Sequence, residues 1–213
     1  MRASALPLIV ASMLIAGAPA VFAADGDAAP GGDRMFGVLP NYNTVDTGST
    51  TRQTTRDSFK IASLGTFDPV VYPFLAVTTA VGIGSSDESY SSRYAVAFAD
   101  NTIGNFMTTA LVPSLTNQDS RYYRRGEGSV FNRLAYAASR SLVTRTRSGA
   151  PTFNISEVAG TAAAAGLSNI YYSPDDRTMG GTAARWATQM MWDTVANELK
   201  EFWPDIRARL RRR

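Results

Sequence analysis

The sequence predicts an all-α fold, a single irregular bundle of five or six helices that follows an extended N-terminal arm. Apolar residues recur at helical spacing in most segments after residue 58. Residues that commonly cap helices stand before several of these segments, and prolines or glycines follow them. The sequence lacks the alternating apolar and polar residues, separated by regular turns, that are typical of a β-barrel. These three observations favour a helical bundle.

Residues 1–23 resemble a secretory signal peptide. Arg2 gives the positive start, an apolar run follows, and small residues occupy the −3 and −1 positions before a predicted cleavage at Ala24. The alternative is an uncleaved membrane anchor, although Gly17 and Pro19 interrupt the run and leave it short for a span. Because no cysteine follows, a lipoprotein anchor is excluded. The expected location is the periplasm or the outer envelope.

The chain contains neither histidine nor cysteine. Catalysis by Ser-His-Asp or Cys-His groups is therefore excluded, as are zinc, copper and haem sites built on these ligands. No metal or other cofactor is expected. An exported domain without disulfides must be stabilised by packing alone, which suits a bacterial envelope better than a small extracellular scaffold.

The mature chain is predicted to consist of an N-terminal arm, residues 24–58, and one helical domain, residues 59–213. The arm is rich in Gly, Pro and Thr, so an extended and partly disordered segment is expected. Its apolar patch from Met35 to Leu39 is expected to dock on the core. The remaining length suits a single domain with a real core.

Charge is distributed unevenly along the mature chain. Residues 24–106 contain 5 basic and 9 acidic residues, whereas residues 107–213 contain 15 basic and 9 acidic residues. In an exported protein, a basic half is expected to contact anionic lipid, lipopolysaccharide or an acidic envelope polymer rather than nucleic acid. The alternative is an ordinary solvated surface.

Arginines and tyrosines of the basic half are the candidate ligand-binding residues. An arginine side chain binds phosphate or carboxylate through two parallel hydrogen bonds, and tyrosine rings stack on sugars. The alternative is that these arginines pair with nearby acidic residues. The candidate anion-binding residues are Arg121, Arg124, Arg125, Arg133, Arg140 and Arg147, and the candidate aromatic contacts are Tyr122, Tyr123, Tyr171 and Tyr172.

Asp100 is the most unusual acidic residue. It lies on the apolar stripe of a helix predicted over residues 94–112, which is expected to break at Pro113. A carboxylate in such a position must find a partner, take up a proton or face a water-filled cavity. Arg140 is the predicted partner.

Two later helices are predicted to turn an apolar stripe into the core. The stripe of the helix at about 130–147 consists of Phe131, Leu134, Ala135, Ala138 and Leu142. The last helix is predicted from about residue 180 to Phe202, with Pro204 ending it. Its inner stripe consists of Thr188, Met191, Trp192, Val195, Leu199 and Phe202.

The helix predicted over residues 155–171 is rich in small residues, which would let a neighbouring helix approach closely. The small residues form two faces, Ala159 with Ala163 and Gly166, or Gly160 with Ala164. Either face would suit a central helix of a tightly packed bundle.

A carboxylate-based enzyme is the alternative to a binding protein. Hydrolysis or lytic cleavage of an envelope polysaccharide needs only two acidic groups in different environments. Asp100 is the candidate acid, with Asp193 or Glu157 as the second group. Glu157 has another explanation, because Asn154 and Glu157 have the spacing of a capping box at a helix start.

Several stretches resemble an uncharacterised family of exported proteins from Gram-negative bacteria. The resemblance covers about residues 37–206 and implies one continuous domain in the cell envelope. It implies no activity, substrate or cofactor. The stretches are GVLPNY (37–42), FDPVVYP (67–73), ADNTIGNF (99–106), DSRYYRRGEG (119–128), SRSLVTRT (139–146), FNISEVAG (153–160), SNIYY (168–172) and KEFWPDI (200–206).

The expected function is that of a non-enzymatic binding or structural module, which contacts an anionic surface, polymer or partner through its arginine-rich half. A second alternative, beside the enzyme, is an integral membrane protein built from the helices at 70–84, 94–112 and 156–167. Whether the chain forms homo-oligomers or binds another protein stays open.

Overall fold

A computed structural model describes residues 34–36, 39–46, 48–49, 51–81 and 88–212 of the chain. The predicted signal peptide, residues 1–23, and the start of the predicted arm, residues 24–33, lie outside the described residues.

Seven α-helices carry most of the described chain. A π-helical segment, Met107–Leu111, continues the third helix into the fourth, and a 3₁₀ turn, Pro174–Asp176, precedes the last. The helices are α1 (Thr55–Thr66), α2 (Val71–Val81), α3 (Tyr90–Phe106), α4 (Val112–Thr116), α5 (Val130–Ser139), α6 (Ile155–Ser168) and α7 (Met179–Arg211).

The prediction of a mainly helical fold is confirmed, but a purely all-α fold is wrong, because five short strands form two small sheets. In one sheet, β1 (Thr44–Asp46) pairs in parallel with β3 (Tyr122–Arg124). In the other, β4 (Val143–Thr146) lies between β2 (Gln118–Asp119) and β5 (Pro151–Phe153), antiparallel to both. Strands of two to four residues are too short to show an alternating pattern in the sequence.

The N-terminal segment is held to the helices by a buried carboxylate. Asp68 is almost fully buried and accepts hydrogen bonds from Arg34 at 2.7 Å and from the Tyr42 hydroxyl at 2.6 Å. Met35 is buried too, while Leu39 keeps a partly exposed surface. The described part of the arm therefore includes both a strand and a docked apolar residue.

The predicted break at Pro113 is wrong, because the helix continues to Thr116 through the π-helical segment. Proline has no N–H to donate to the carbonyl four residues earlier, which belongs to Thr109. The Ser120 hydroxyl donates to that carbonyl instead, at 3.0 Å. The lost backbone bond is thus replaced, and the helix passes the proline intact.

The small-residue face of α6 that packs is the one formed by Gly160 and Ala164. A Cβ added at Gly160 would lie 3.3 Å from the backbone of Met107, so α6 and the π-helical segment meet almost without side chains between them. The alternative face is exposed at Ala159, Ala163 and Gly166.

The predicted inner stripes of α5 and α7 are wrong, because most of their apolar residues face outward. Phe131 on α5 is 78% exposed and Trp192 on α7 is 59% exposed. The inward faces carry polar groups instead: Asp193 lines a polar cavity, and Arg133 on α5 pairs with Glu201 on α7. Local periodicity gives the two faces of a helix but not the polarity of what each face meets.

The last helix also passes its proline without ending, contrary to the prediction. Pro204 cannot donate to the carbonyl of Lys200, and the Arg124 guanidinium donates to that carbonyl at 3.1 Å instead. Arg133 donates in the same way to the carbonyl of Glu201 at 2.7 Å. Side chains from outside the helix thus satisfy its backbone near the proline.

In the described part of the chain, no single helix has both the length and the apolar character of a membrane span. Only α1 and α2 taken together meet those criteria, and they are bent by 55°.

Candidate functional site

A polar cavity of about 120 Å³ lies where the two small sheets meet helices α5, α6 and α7. It is lined by the π-helical segment, the residues around β3, the end of α5, strand β4, the start of α6 and one face of α7. The charged groups that face it are Arg121, Arg140, Arg145, Glu157, Asp193 and Lys200. Both Asp193 and Glu157, named from the sequence as candidate acids, are among them.

The carboxyls of Glu157 and Asp193 are buried side by side, within reach of a hydrogen bond between them. If both were ionised, Glu157 Oε1 and Asp193 Oδ2 would have no hydrogen-bond donor among the described residues. The bond between them therefore requires that one carboxyl keeps its proton. Burial, together with the charge of Asp193, raises the pKa of Glu157 well above its usual value, and burial also raises the pKa of Asp193. The two groups titrate as a unit.

Glu157 is available for this pair because it is not used as a helix cap. Asn154 caps α6 as predicted, since its side-chain oxygen accepts from the Glu157 N–H at 3.0 Å. The reciprocal half of the capping box is wrong, because the Asn154 N–H donates to the carbonyl of Leu142 at 2.9 Å. The Glu157 carboxyl is thereby free to point toward Asp193.

Lys200 lies seven residues after Asp193, two turns further along the same face of α7. Burial lowers the pKa of Lys200, against the attraction of Asp193 and Glu157. No hydrogen bond or ion pair involves its ammonium group within the part of the chain that the structure describes. Its three N–H donors are therefore available to whatever occupies the cavity.

Two arginines face the cavity without a carboxylate partner among the described residues. The Arg145 guanidinium stacks on the Tyr123 ring at 4.4 Å, and that of Arg140 stacks on the Tyr136 ring at 4.5 Å. Arg140 also donates to the Ser139 hydroxyl at 3.1 Å. Stacking holds both groups in place and leaves most of their N–H donors available.

Most of the other arginines predicted to bind anions are engaged within the protein. The closest contacts are Arg121 with Asp119 at 2.6 Å, Arg124 with Asp46 at 2.9 Å, and Arg133 with Glu201 at 2.9 Å and Asp205 at 2.5 Å. Arg147 donates to the Thr55 hydroxyl at 2.7 Å. Arg125 is exposed and lies 5.9 Å from the Tyr136 ring centre. Of these six candidates, Arg121 and Arg140 line the cavity.

Asp100 is absent from the cavity lining, and the prediction that Arg140 pairs with it is wrong. The hydroxyls of Tyr171 and Tyr172 each donate to Asp100 at 2.6 Å. Burial raises the pKa of Asp100, and these two hydrogen bonds oppose the rise. The structure therefore places Asp100 outside the cavity. Tyr171 and Tyr172, predicted from the sequence as aromatic contacts for a ligand, bind Asp100 instead.

The other two predicted aromatic contacts are buried and hydrogen-bonded. Tyr122 donates to Glu201 at 2.8 Å, and Tyr123 donates to Asp119 at 2.7 Å. Burial and the bond to Asp119 raise the pKa of Tyr123 to about 12. Both tyrosines line the cavity with their hydroxyls committed elsewhere, so they shape its wall.

Glu201, one residue beyond Lys200, is a buried carboxylate of a different kind. Four donors surround it: the Arg133 guanidinium, the Tyr122 hydroxyl and the N–H groups of Arg125 and Gly126, all between 2.8 and 2.9 Å. Burial alone would raise its pKa, but these donors lower it overall. This carboxylate fastens α5 and the chain after β3 to α7.

The sequence-based reasoning missed Lys200 and Arg145 as site residues. A signal was present for Lys200, because Asp193, Asn197 and Lys200 are spaced four and three residues apart, as one helical face requires. For Arg145, the residues of β4 gave no comparable signal.

No three acidic side chains among the described residues come together as a metal site would require. Comparison of the chain with protein-family models, with curated proteins and with solved structures found no match.

Proposed function

We propose that this protein binds a small polar ligand with an anionic group in its central cavity. The observation that carries the proposal is the convergence of three cations, Arg140, Arg145 and Lys200, on a cavity that also contains the buried carboxyls of Glu157 and Asp193. Burial raises the pKa of Glu157 and of Asp193, so one proton on the pair leaves it with a charge of −1, and the three cations, when charged, then exceed it by +2. An anion of one or two charges balances this site.

The size of the cavity limits the ligand. A volume of about 120 Å³ has room for several water molecules. A phosphate, a sulfate or a short carboxylic acid is of this size. In such a ligand the anionic group would bind the arginine side chains, and a hydroxyl or carbonyl oxygen would meet the protonated carboxyl of Glu157 or Asp193.

Binding can be tested by isothermal titration calorimetry with phosphate, sulfate and a set of short mono- and dicarboxylic acids. We expect at least one of these to bind, and Arg145→Gln to weaken it at least tenfold, because a bidentate contact is lost. Arg125→Gln is the matched control, since this exposed arginine is outside the cavity lining. An affinity unchanged by Arg145→Gln, or lowered equally by both variants, would contradict the proposal.

If the chain is exported as predicted, it would serve as a binding module of the cell envelope. The expected contact with an anionic membrane surface or polymer is supported by Arg209, Arg211 and Arg212, which are exposed at the end of α7. Liposome binding that weakens as salt is raised would support that contact, whereas binding insensitive to salt would count against it.

A second candidate function is acid–base catalysis by the carboxyl pair. Two carboxyls that share a proton can activate a water molecule, as paired aspartates do in aspartic proteases. Glycoside hydrolysis is less well supported, because the two carboxyls of a glycosidase stand about 5 to 9.5 Å apart, whereas those of Glu157 and Asp193 lie within reach of a hydrogen bond. Turnover of a bound ligand that is abolished by Asp193→Asn, with binding retained, would favour catalysis over binding alone.

A further inference from the structure

Lysine is rare in this chain, and one of its lysines lies in the central cavity. Of the 21 lysine and arginine residues, only Lys60 and Lys200 are lysines. Lys60 is exposed on α1, whereas Lys200 lines the cavity. An arginine keeps its proton in proteins, but a lysine can lose it and become a nucleophilic amine. Among the described residues that line the cavity, Lys200 is thus the one cation that can act as a nucleophile.

The surroundings of Lys200 leave its amine available for reaction. Asp193 and Asn197 precede it by seven and three residues on the same face of α7, and all three side chains line the cavity. The amine forms no ion pair with an acidic group in the described part of the chain. Burial lowers the pKa of Lys200, and attraction to Asp193 and Glu157 opposes the fall. The neutral amine is therefore more populated than in an exposed lysine.

The other charged groups of the cavity suit the condensation of an amine with a carbonyl compound that carries a carboxylate. The carboxyls of Glu157 and Asp193 can give and take protons. Arg140 and Arg145 can bind a carboxylate beside the carbonyl group. With Lys200 neutral, the two arginines exceed a singly protonated carboxyl pair by +1, which one carboxylate balances. A cavity of about 120 Å³ restricts the compound to a short acid.

We propose that Lys200 forms a Schiff base with a short oxo acid, such as glyoxylate or pyruvate, bound in this cavity. This inference rests on the anion-binding function proposed above. The neutral amine attacks the carbonyl carbon, and the carbonyl oxygen takes a proton from the protonated carboxyl of the pair. The nitrogen of the resulting carbinolamine then returns a proton to the pair. The hydroxyl takes that proton and leaves as water, while the nitrogen lone pair completes the C=N bond of the protonated Schiff base.

Reductive trapping tests the covalent step. The full chain is incubated with glyoxylate or pyruvate at a limiting concentration, reduced with sodium cyanoborohydride and digested for mass spectrometry. We expect the peptide that contains Lys200 to gain the mass of the acid less one oxygen atom, and Lys60 to be modified about tenfold more slowly. Lys60 is the control within the same chain, because it is exposed. Equal modification of the two lysines, or none at Lys200, would overturn the inference.

Acetaldehyde tests the requirement for a carboxylate, because it has the aldehyde of glyoxylate with a methyl group in place of the carboxylate. The ratio of Lys200 to Lys60 modification should be about tenfold higher with glyoxylate, and Arg145→Gln should remove most of this preference, because the carboxylate loses its bidentate partner. The same ratio with both aldehydes in the wild type would overturn an oxo acid as the ligand.

Lactate separates this inference from the proposed function, since it resembles pyruvate but has a hydroxyl group in place of the carbonyl. Calorimetric binding of lactate or another anion, without trapping of either oxo acid, would overturn the Schiff base and leave the proposed function standing. Trapping at Lys200 without measurable binding of any anion would support the Schiff base and count against the proposed function. Absence of both would overturn the two together.

Discussion

Asp193 and Glu201 lie eight residues apart on the same helix, both turned inward, yet they are opposites in chemistry. Glu201 has four donors and a lowered pKa, whereas Asp193 lies beside the Glu157 carboxyl and has a raised pKa. A buried charge whose hydrogen bonds are all made serves the architecture. A buried carboxyl pair beside unpaired cations costs stability, and such a cost is typical of a functional site.

Asp100 sharpens this comparison, because its pKa is raised as well. Both of its oxygens accept tyrosine hydroxyls, and no cation forms an ion pair with it among the described residues. A raised pKa by itself therefore does not locate a site. What distinguishes the Glu157–Asp193 pair is a shared cavity with Arg140, Arg145 and Lys200.

The largest expected effect comes from removing the architectural carboxylate. Glu201→Gln is expected to lower the free energy of unfolding by about 3–5 kcal/mol, because it leaves Arg133 without its buried partner and places an amide against two backbone N–H groups. Urea unfolding followed by circular dichroism measures this. Glu127→Gln, at an exposed acidic residue, is the control, and a similar small loss in both variants would contradict the role of Glu201.

At the carboxyl pair we expect a smaller change in the free energy of unfolding, and one of opposite sign. Asp193→Asn should leave the free energy of unfolding at neutral pH unchanged or raise it by about 1 kcal/mol, because a neutral amide replaces a costly buried charge. The same variant should keep or strengthen the binding of any anion found by calorimetry, because it removes a negative charge from beside the three cations. A loss of stability as large as that of Glu201→Gln would show that the pair is architectural as well.

The two kinds of carboxylate also predict opposite dependences on pH. Because the folded-state pKa of Glu201 is lowered, its stabilisation is present above the unfolded pKa and is lost as pH falls through the folded value. Because the folded-state pKa values of Glu157 and Asp193 are raised, stability is lost as pH rises from the unfolded toward the folded values. The slope is at most about 1.4 kcal/mol per pH unit for each proton.

The free energy of unfolding can be measured from acidic to neutral pH in the wild type and in the double variant Glu157→Gln, Asp193→Asn. It should fall more steeply with rising pH in the wild type, because only the wild type has the carboxyl pair. Parallel profiles for the two proteins would indicate that the pair has an ordinary pKa.

The smallest effect is expected at Asp100. Tyr171→Phe removes one of its two donors and should cost about 1 kcal/mol of unfolding free energy, as a single hydrogen bond does. Anion binding should not change, since Asp100 is absent from the cavity lining. A large loss of binding in Tyr171→Phe would place Asp100 in the functional site after all.

The sequence predicted the local structure well where the signals are themselves local. Ser129, Asn154 and Thr178 are residue types that commonly cap helices, and each accepts a hydrogen bond at the start of a helix, at 3.3, 3.0 and 2.9 Å. The two predicted helix breaks, at Pro113 and Pro204, do not occur. The side chains of Ser120 and Arg124 donate hydrogen bonds to the two carbonyls that the prolines leave without an N–H. Such a rescue depends on the folded arrangement and has no local signature.

The site was predicted only in part, for a related reason. Glu157, Asp193 and Arg140 were named as candidates, but nothing in their spacing indicated that they meet. The inward and outward faces of α7 were exchanged, because an apolar stripe was assumed to face an apolar core. When the interior holds a polar cavity, the polar stripe of Asp193, Asn197 and Lys200 is the one that turns inward.

The proton shared by Glu157 and Asp193 is the most direct test of this account. Difference infrared spectroscopy at neutral pH, wild type minus the double variant Glu157→Gln, Asp193→Asn, detects a protonated carboxyl by its carbonyl stretch. The expected result is one protonated carboxyl in the wild type that is absent from the variant. A difference spectrum that contains only ionised carboxylate bands would contradict the shared proton and, with it, the charge balance that favours an anionic ligand.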